Sequence, residues 1–157
     1  MKAKDIMSPV SDFLSPDMSL REAVIAIRNS KRSHGLSVKG LLVLDANRNM
    51  IGILSIKDIM GAVIPPYLSP DLSLFSWDNM LEQMTDRFKD KKVSDIMAKN
   101  IFTVGPETPL MVCVDFMIKK KLQRIPVVGE DKNILGMVYI RDLYEIIANI
   151  LTKEGEN

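Results

Sequence analysis

Apolar residues recur every three or four positions in two parts of the chain, and this spacing predicts two amphipathic helices. The first set comprises Leu20, Val24 and Ile27, and the second comprises Leu110, Val114, Met117 and Ile118. Ser19 precedes the first set and Glu22 lies three residues further on, a spacing typical of a capping box at a helix start. In the second half we expect Thr108 to cap the helix and Pro109 to take its first position.

Two short apolar runs follow each of these helices and predict paired strands. The runs cover residues 41–44 and 50–54 in the first half, and 125–128 and 134–138 in the second. Between the runs lie the sequences DANRN and GEDKN, which are rich in turn-forming residues. A further helical stretch begins near Ile56 and near Arg141. With an extended segment before each first helix, the pattern predicts an α+β fold of order β-α-β-β-α, present twice.

The two halves also repeat one another in sequence. Asp5-Ile6-Met7 recurs 90 residues later as Asp95-Ile96-Met97, whereas the motif from Gly52 to Asp58 recurs 84 residues later, from Gly136 to Asp142. The decrease from 90 to 84 indicates that the second copy is shorter by six residues between these markers. We therefore expect four segments: a first repeat over residues 1–64, a helical linker over 65–91, a second repeat over 92–152 and a disordered tail over 153–157.

The linker has a helical pattern of its own, from about Leu72 to Phe88. Its apolar residues share one face: Leu74, Trp77, Leu81, Met84 and Phe88. This face is expected to pack on the two repeats or on a second subunit. Docking of a foreign protein is the alternative.

Composition narrows the range of functions. The net charge of +1 is too small for a general attraction to DNA or RNA, and the one basic run, Lys119 to Lys121, suits the C-terminal end of a helix. A single cysteine, Cys113, and a single histidine, His34, exclude an intramolecular disulfide and a His/Cys metal cluster. Cys113 lies between valines and is expected to be a core residue. No catalytic constellation is present in the sequence, so we do not expect an enzyme.

Two further features concern location. The longest apolar runs have five residues, whereas a membrane-spanning helix needs about 20. The N-terminal sequence MKAKDIMSPV has no apolar core and no cleavage site of a signal peptide. We therefore expect a cytoplasmic protein.

The repeated motif Gly-x-x-[Ser/Tyr]-x-x-Asp lies where a strand passes into a helix. The first amides of a helix lack partners and carry positive partial charge, which favours an anion. Ser55 would then lie beside a phosphate oxygen, and Asp58 could accept two hydrogen bonds from a vicinal diol such as that of ribose. Gly52 would permit close approach by a neighbouring backbone. A serine and an aspartate at a helix start are also ordinary capping residues, but the repetition of the whole unit favours a ligand site.

Taken together, these residues resemble a tandem pair of CBS domains, also called a Bateman module. The matching pieces are Lys4 to Met7, Ser94 to Met97, Ile101 to Val104 with Pro106, Gln123 to Val128, and both Gly-to-Asp motifs. The resemblance implies two repeats packed with pseudo-two-fold symmetry and clefts that commonly hold AMP, ADP, ATP or another adenosyl compound. It also implies a homodimer that senses an adenine nucleotide and regulates a partner protein, with no cofactor required and the nucleotide acting as a regulatory ligand.

The resemblance further implies two sets of nucleotide-binding residues. In the first cleft, Ser55 would face the phosphate and Asp58 the ribose, with the base and phosphate side lined by Lys39, Gly40 and Leu41. In the second cleft, Asp142 would face the ribose and Arg124 the phosphate, with Arg141 as an additional cation. The base would there be surrounded by Phe102, Thr103, Ile125 and Pro126.

Three departures from the family pattern predict that the clefts differ. Tyr139 stands where serine or threonine is usual, Gly40-Leu41 replaces an Ile-Pro pair, and Phe13 stands where the second copy has Thr103. We expect the two clefts to have different affinities, and the residues leave open which one is occupied. A ligand-free scaffold with the same fold is the alternative function.

Overall fold

A computed structural model of the chain describes residues 1–31, 38–64 and 80–153. Its elements in chain order are α1 (Ala3–Ile6), β1 (Phe13–Leu14), α2 (Leu20–Asn29), β2 (Gly40–Leu44), β3 (Met50–Ser55), α3 (Ile56–Val63), α4 (Met80–Phe88), α5 (Val93–Ile96), α6 (Leu110–Lys120), β4 (Arg124–Val128), β5 (Ile134–Tyr139) and α7 (Ile140–Thr152). The α+β class is confirmed, and the helix-strand-strand-helix order occurs in both halves. Outside the described residues lie His34, Leu74 and Trp77, as well as residues 154–157 of the predicted tail.

The contacts of the chain divide it into two compact units. Unit 1 comprises Met1–Ser11 and Phe102–Asn157, and unit 2 comprises Asp12–Ile101. Each unit therefore combines the body of one sequence repeat with the leading segment of the other. The backbone shows the same exchange twice, because Ala3 N–H donates to the Thr108 carbonyl in unit 1 at 2.8 Å, and Val93 N–H donates to the Met18 carbonyl in unit 2 at 2.8 Å.

Unit 2 is built on a three-stranded sheet of order β1-β2-β3. Strand β1 is parallel to β2, and β2 is antiparallel to β3 with Gly40 opposite Ser55. On the other edge of β3, Ile53 and Ala98 exchange two backbone hydrogen bonds of 2.9 and 3.0 Å. The core of the unit consists of Leu14, Leu20, Ala23, Ile27, Leu41, Val43, Leu54 and Val93.

Unit 1 has the corresponding arrangement around the antiparallel pair β4-β5. Val104 takes the place of β1 by pairing in parallel with Val127, and Ser8 exchanges two 2.9 Å backbone hydrogen bonds with Met137. The core consists of Ala3, Val104, Cys113, Met117, Ile125, Val127, Val138 and Leu143. Cys113 is fully buried, which confirms its predicted place in the core, and burial raises the pKa of its thiol.

The predicted helix starts are right in one half and wrong in the other. Ser19 caps α2 by accepting a 3.1 Å hydrogen bond from the Glu22 N–H, as the capping box predicts. Helix α6 instead begins at Leu110, with Pro109 as its N-cap and Thr108 outside the helix. The ψ angle of Pro109 is 142°, an extended conformation, so Pro109 is not the first helical residue.

The described part of the linker contains helix α4 (Met80–Phe88). Phe88 is half-buried and packs against the core of unit 2. Met84 is also half-buried, whereas Leu81 is 61% exposed. The C-terminal part of the predicted apolar face thus packs on unit 2. Residues 72–79 of the predicted helix lie outside the described residues.

Candidate functional site

The strand-to-helix junction of unit 2 is held by a capping box between Ser55 and Asp58. The Oδ2 atom of Asp58 accepts hydrogen bonds from the backbone N–H and the hydroxyl of Ser55, both at 2.8 Å. In return the Ser55 hydroxyl oxygen accepts from the Asp58 N–H at 3.3 Å. No described residue donates to the other oxygen, Oδ1, of this half-buried carboxylate. One oxygen is therefore structural, and the second is available to a ligand.

Strand β2 brings the other predicted residues of this cleft to the same junction. Gly40 lies opposite Ser55 in the β2-β3 ladder, and the Lys39 carbonyl accepts a 2.9 Å hydrogen bond from the Ile56 N–H. The side chain of Lys39 is exposed, whereas Leu41 is 7% exposed and belongs to the unit 2 core. The structure thus assembles Lys39, Gly40, Ser55 and Asp58, while the Leu41 side chain points into the core.

The junction of unit 1 has a different chemistry, because Tyr139 is the N-cap of α7. The Tyr139 side chain makes no capping hydrogen bond, in contrast to that of Ser55. Arg124 lies opposite Tyr139 in the β4-β5 ladder, and Asp142 occupies the third position of α7, half-buried. Arg141 is exposed. The predicted arginines, tyrosine and aspartate of the second cleft therefore lie at one end of a single sheet.

Most of the residues predicted to surround the base in unit 1 are buried or contact other side chains of the same unit. Ile125 is 0% exposed within the core, and Pro126 is also fully buried. The ring of Phe102 lies 4.6 Å from that of Phe116, centroid to centroid, and the Lys120 ammonium stands 5.0 Å from its centroid. Thr103 is half-buried beside Val104.

The glycine of each motif lies where another segment crosses the strand, as the sequence predicts for Gly52. A Cβ atom at Gly136 would lie 2.9 Å from the carbonyl oxygen of Ser8, and one at Gly52 would lie 3.1 Å from that of Ala98. Such distances leave little or no room for a side chain. Each glycine therefore allows the leading segment of the other repeat to pair with the strand that ends at the motif.

An open groove of about 460 Å³ adjoins Asp58 in unit 2, and sequence reasoning missed it. We call it the α3 groove. Its lining residues come from α3, the end of α4 and α5: Lys57, Asp58, Gly61, Ala62, Phe88, Lys91, Asp95 and Ile96. They are spread over some forty positions of sequence and form no local motif. The one available signal was Gly61, an unexpected glycine inside a helical pattern.

The described residues contain neither a candidate metal cluster nor a helix that could span a membrane. Within residues 1–31, 38–64 and 80–153, no group of three or more His, Cys, Asp or Glu side chains could hold a metal ion. In the same residues, no helix is both long and apolar enough to cross a membrane.

Comparison with known proteins identifies relatives that match both repeats of the chain. The family model described as CBS domain matches residues 3–65 and 93–149. The uncharacterized protein MJ1426 of Methanocaldococcus jannaschii is 25% identical, over 94% of this chain and 91% of its own length. An inosine-5'-monophosphate dehydrogenase of Korarchaeum cryptofilum is 30% identical over 83% of this chain, which spans only 21% of that enzyme.

A solved structure with the same fold carries a nucleotide. It is the crystal structure of CBSX2 in complex with AMP, which superposes with a TM-score of 0.70 and 22% sequence identity. The match covers 96% of this chain and 98% of the other. At this identity the likeness establishes the shared architecture.

Proposed function

The chain belongs to the CBS-domain family, and from this premise we propose that it is a regulatory module that binds an adenosine-containing nucleotide and acts on a partner protein in trans. The observation that carries the proposal is the doubled strand-to-helix junction, with an aspartate at the third helical position of both α3 and α7. The AMP complex of CBSX2 supports it, since that protein shares the fold. A cytoplasmic location is part of the proposal.

The junctions offer the groups that a ribose phosphate requires. In unit 2 the capping box fixes the Asp58 carboxylate and leaves Oδ1 for the ribose hydroxyls. A carboxylate accepts such hydrogen bonds strongly because it is charged. In unit 1 we assign the ribose to Asp142 and the phosphate to Arg124, with Arg141 as a second cation. The two sites are expected to differ in affinity because the Ser55 hydroxyl caps α3, whereas the Tyr139 side chain makes no capping hydrogen bond to α7.

The expected affinity is micromolar. A hydrogen bond to a charged carboxylate contributes about 1.5–3 kcal/mol, and a helix N-terminus at most ~2 kcal/mol. Burial of a purine face adds roughly 25 cal/mol per Å². After the cost of association, about −8 kcal/mol remains, which corresponds to a Kd near ~1 µM. A metabolite sensor requires a Kd in this range.

The exposed face of α7 supports a homodimer. Ile140, Tyr144, Ile147 and Leu151 are spaced to share one face of this helix, and Tyr144 is 64% exposed. Because a row of exposed apolar side chains usually marks an interaction surface, we assign this face to a second copy of the chain. Sedimentation velocity should give a dimer that Ile147→Glu converts to a monomer. A monomeric wild-type protein would contradict the assignment.

A ligand screen on nucleotide-depleted protein tests the proposal. Purified protein is first denatured and the released small molecules are identified by mass. The refolded or washed protein is then titrated with AMP, ADP, ATP and S-adenosylmethionine while its Tm is recorded. A ligand at 100 times its Kd should raise the Tm by about 5–10 °C. No shift with any of the four would overturn the nucleotide-sensing function.

A ligand-free dimerisation scaffold is the second candidate, favoured by Tyr139, which stands at the N-cap of α7 in place of a small hydroxyl, and by Ser55, whose hydroxyl already caps α3. It predicts no released nucleotide and no Tm shift, with an unchanged dimer in the double variant Asp58→Ala/Asp142→Ala. The regulatory proposal instead predicts that this double variant still dimerises but no longer responds to the nucleotide.

A further inference from the structure

The outward faces of α2 and α6 differ in chemistry, although the two helices hold equivalent places in the two repeats. On α2, residues at spacings of four and three are Arg21, Ile25 and Arg28, which we call the α2 face. Such spacing places the three side chains on one side of the helix. All three are exposed, and Ile25 is 52% exposed. The α2 face therefore presents one apolar residue between two cations.

A shift of 90 residues gives the matching positions of α6, which are Met111, Asp115 and Ile118. We call them the α6 face. Met111 is 84% exposed and Ile118 is 68% exposed, and the aspartate between them is exposed as well. The α6 face thus presents one acidic residue between two apolar ones. Its pattern is the inverse of that of the α2 face, both in the order of apolar and charged groups and in the sign of the charge.

We propose that the α2 face of one copy of the chain packs against the α6 face of a second copy, so that unit 2 of each copy meets unit 1 of the other. This inference rests on the homodimer of the proposed function and specifies its arrangement. In a two-fold dimer the contact occurs twice, because each copy carries both faces.

The cations of the α2 face have no partner of their own among the described residues. Arg21 and Arg28 are exposed, and neither forms an ion pair within residues 1–31, 38–64 and 80–153. On the α6 face, Asp115 accepts a 2.8 Å hydrogen bond from the Lys119 ammonium four residues on. Both of these side chains are more than half exposed, and such a surface pair is weak. Asp115 can therefore also accept from an arginine of a second copy.

The apolar stripe on α7, already assigned to a second copy, does not decide the arrangement. Ile56 and Met60 of α3 stand 84 residues before Ile140 and Tyr144 of α7, and they are 43% and 51% exposed. The two helices thus present similar apolar stripes. Either pairing of units would bury them, so the choice depends on the charged faces of α2 and α6.

Contact between like faces is unfavourable for this sequence. About a two-fold axis, the centre of a helix meets its own copy, and the two ends exchange. Two α6 faces would place Asp115 against Asp115, and two α2 faces would place Arg21 against Arg28. Each contact would bring like charges together, which opposes association. Contact between unlike faces removes both repulsions.

Contact between unlike faces also satisfies the apolar and the charged groups together. If the helices run antiparallel with an offset of one turn, Ile25 lies against Ile118 and Arg28 lies against Asp115. Both pairs form at once, because the members of each face are separated by the same three residues. An arginine suits this contact, since its planar guanidinium can donate two hydrogen bonds to one carboxylate.

Charge exchange tests the pairing, with the dimer Kd measured by sedimentation velocity over a range of protein concentrations. Asp115→Arg and the double variant Arg21→Asp/Arg28→Asp each place like charges on the two faces, so each Kd should rise at least about tenfold. The triple variant Arg21→Asp/Arg28→Asp/Asp115→Arg exchanges the charges and should regain the wild-type Kd to within about threefold. Glu130→Arg, the same acid-to-arginine change at an exposed turn residue, should leave the Kd unaltered.

An equimolar mixture of Asp115→Arg and the double variant provides a second readout. Each contact in a mixed dimer unites opposite charges, so the mixture should dimerise as the wild type does, although neither variant does so alone. Far-UV circular dichroism verifies that every variant is folded.

The outcomes separate this pairing from the function on which it rests. Undiminished dimerisation of both charge-reversed variants would overturn the pairing but leave the dimer, because contact between like faces only replaces one like-charge pair with another. A loss that the triple variant does not restore, or an equal loss in Glu130→Arg, would also overturn it. A monomeric wild type would overturn the homodimer itself. The nucleotide-induced rise in Tm is measured separately, and its absence would contradict the sensing function without affecting the pairing.

Discussion

Gly136 lies directly beneath Met7, so that a Cβ atom on the glycine would be 2.9 Å from the Met7 sulfur. The two residues belong to different sequence repeats but to the same compact unit. Gly52 and Met97 form the equivalent pair in unit 2. These pairs fix the leading segment of each repeat on the last strand of the other, immediately before the strand reaches its candidate site.

Substitution of Gly136 by alanine is expected to destabilise the protein by about 1–3 kcal/mol, the usual cost of overpacking. The added methyl would meet the Ser8 carbonyl at 2.9 Å, and backbone cannot move aside as a side chain can. Gly52→Ala should cost less, because its backbone neighbour, the Ala98 oxygen, is 3.1 Å away and the closer atoms belong to the flexible Met97 side chain. Urea unfolding measures both. Equal stability of wild type and Gly136→Ala would contradict the close approach.

Substitution of Gly61 by alanine should have the opposite sign. Gly61 lies in the interior of α3, where a glycine costs up to about 1 kcal/mol relative to alanine, and its added Cβ would meet nothing within 4 Å. We expect a gain of about 1 kcal/mol in the free energy of unfolding. The same urea titration measures this gain. Gly136→Ala is the comparison, because the Cβ atom added there meets other atoms at 2.9 Å. A loss of stability in Gly61→Ala would mean that the groove is not open in solution.

These glycines show what the sequence can and cannot predict. The repeat itself, the helix-strand order and the need for close approach at Gly52 all follow from local pattern and spacing. The approaching segment does not, because Met97 and Ala98 reach Gly52 through pairing of distant backbone that no periodicity encodes. The α3 groove was missed for the same reason, since Phe88 and Asp95 meet Asp58 only through tertiary packing.

The two motif aspartates should be separable by their effects on the ligand-induced rise in Tm. Asp58→Ala removes the unit 2 ribose acceptor and also the capping box, so its ligand-free stability should fall by about 1 kcal/mol. Asp58→Asn is the matched control, because an amide oxygen still accepts from Ser55 but carries no charge. It should retain stability yet bind AMP more weakly. Asp142→Ala should remove the part of the ligand-induced rise in Tm that comes from unit 1. A full rise in the double variant Asp58→Ala/Asp142→Ala would contradict both assignments.

The thiol of Cys113 should be unreactive in the native protein. It is fully buried in the unit 1 core, and burial raises its pKa above the ordinary value, so little thiolate exists at pH 8. Labelling with an aromatic disulfide reagent should be slow without denaturant and rapid in urea. Because the chain has one cysteine, the rate reports the opening of this core directly. Immediate stoichiometric labelling of folded protein would contradict the packing.

Glu107 should contribute to the loss of stability in acid. Its carboxylate accepts hydrogen bonds from the ammonium groups of Lys2 and Lys4, which lower its pKa from 4.5 to about 2. Since the folded-state pKa is the lower one, this stabilisation is present above pH 4.5 and is lost as the pH falls towards 2. The effect should be small, because all three side chains are exposed to solvent. Urea midpoints at pH 6 and pH 2 should therefore differ less in Glu107→Gln than in the wild type. Glu130→Gln is the control, because it makes the same charge change at an exposed turn residue. The difference between its two midpoints should equal that of the wild type. An identical pH dependence in Glu107→Gln and wild type would show that the two lysines do not hold this carboxylate in solution.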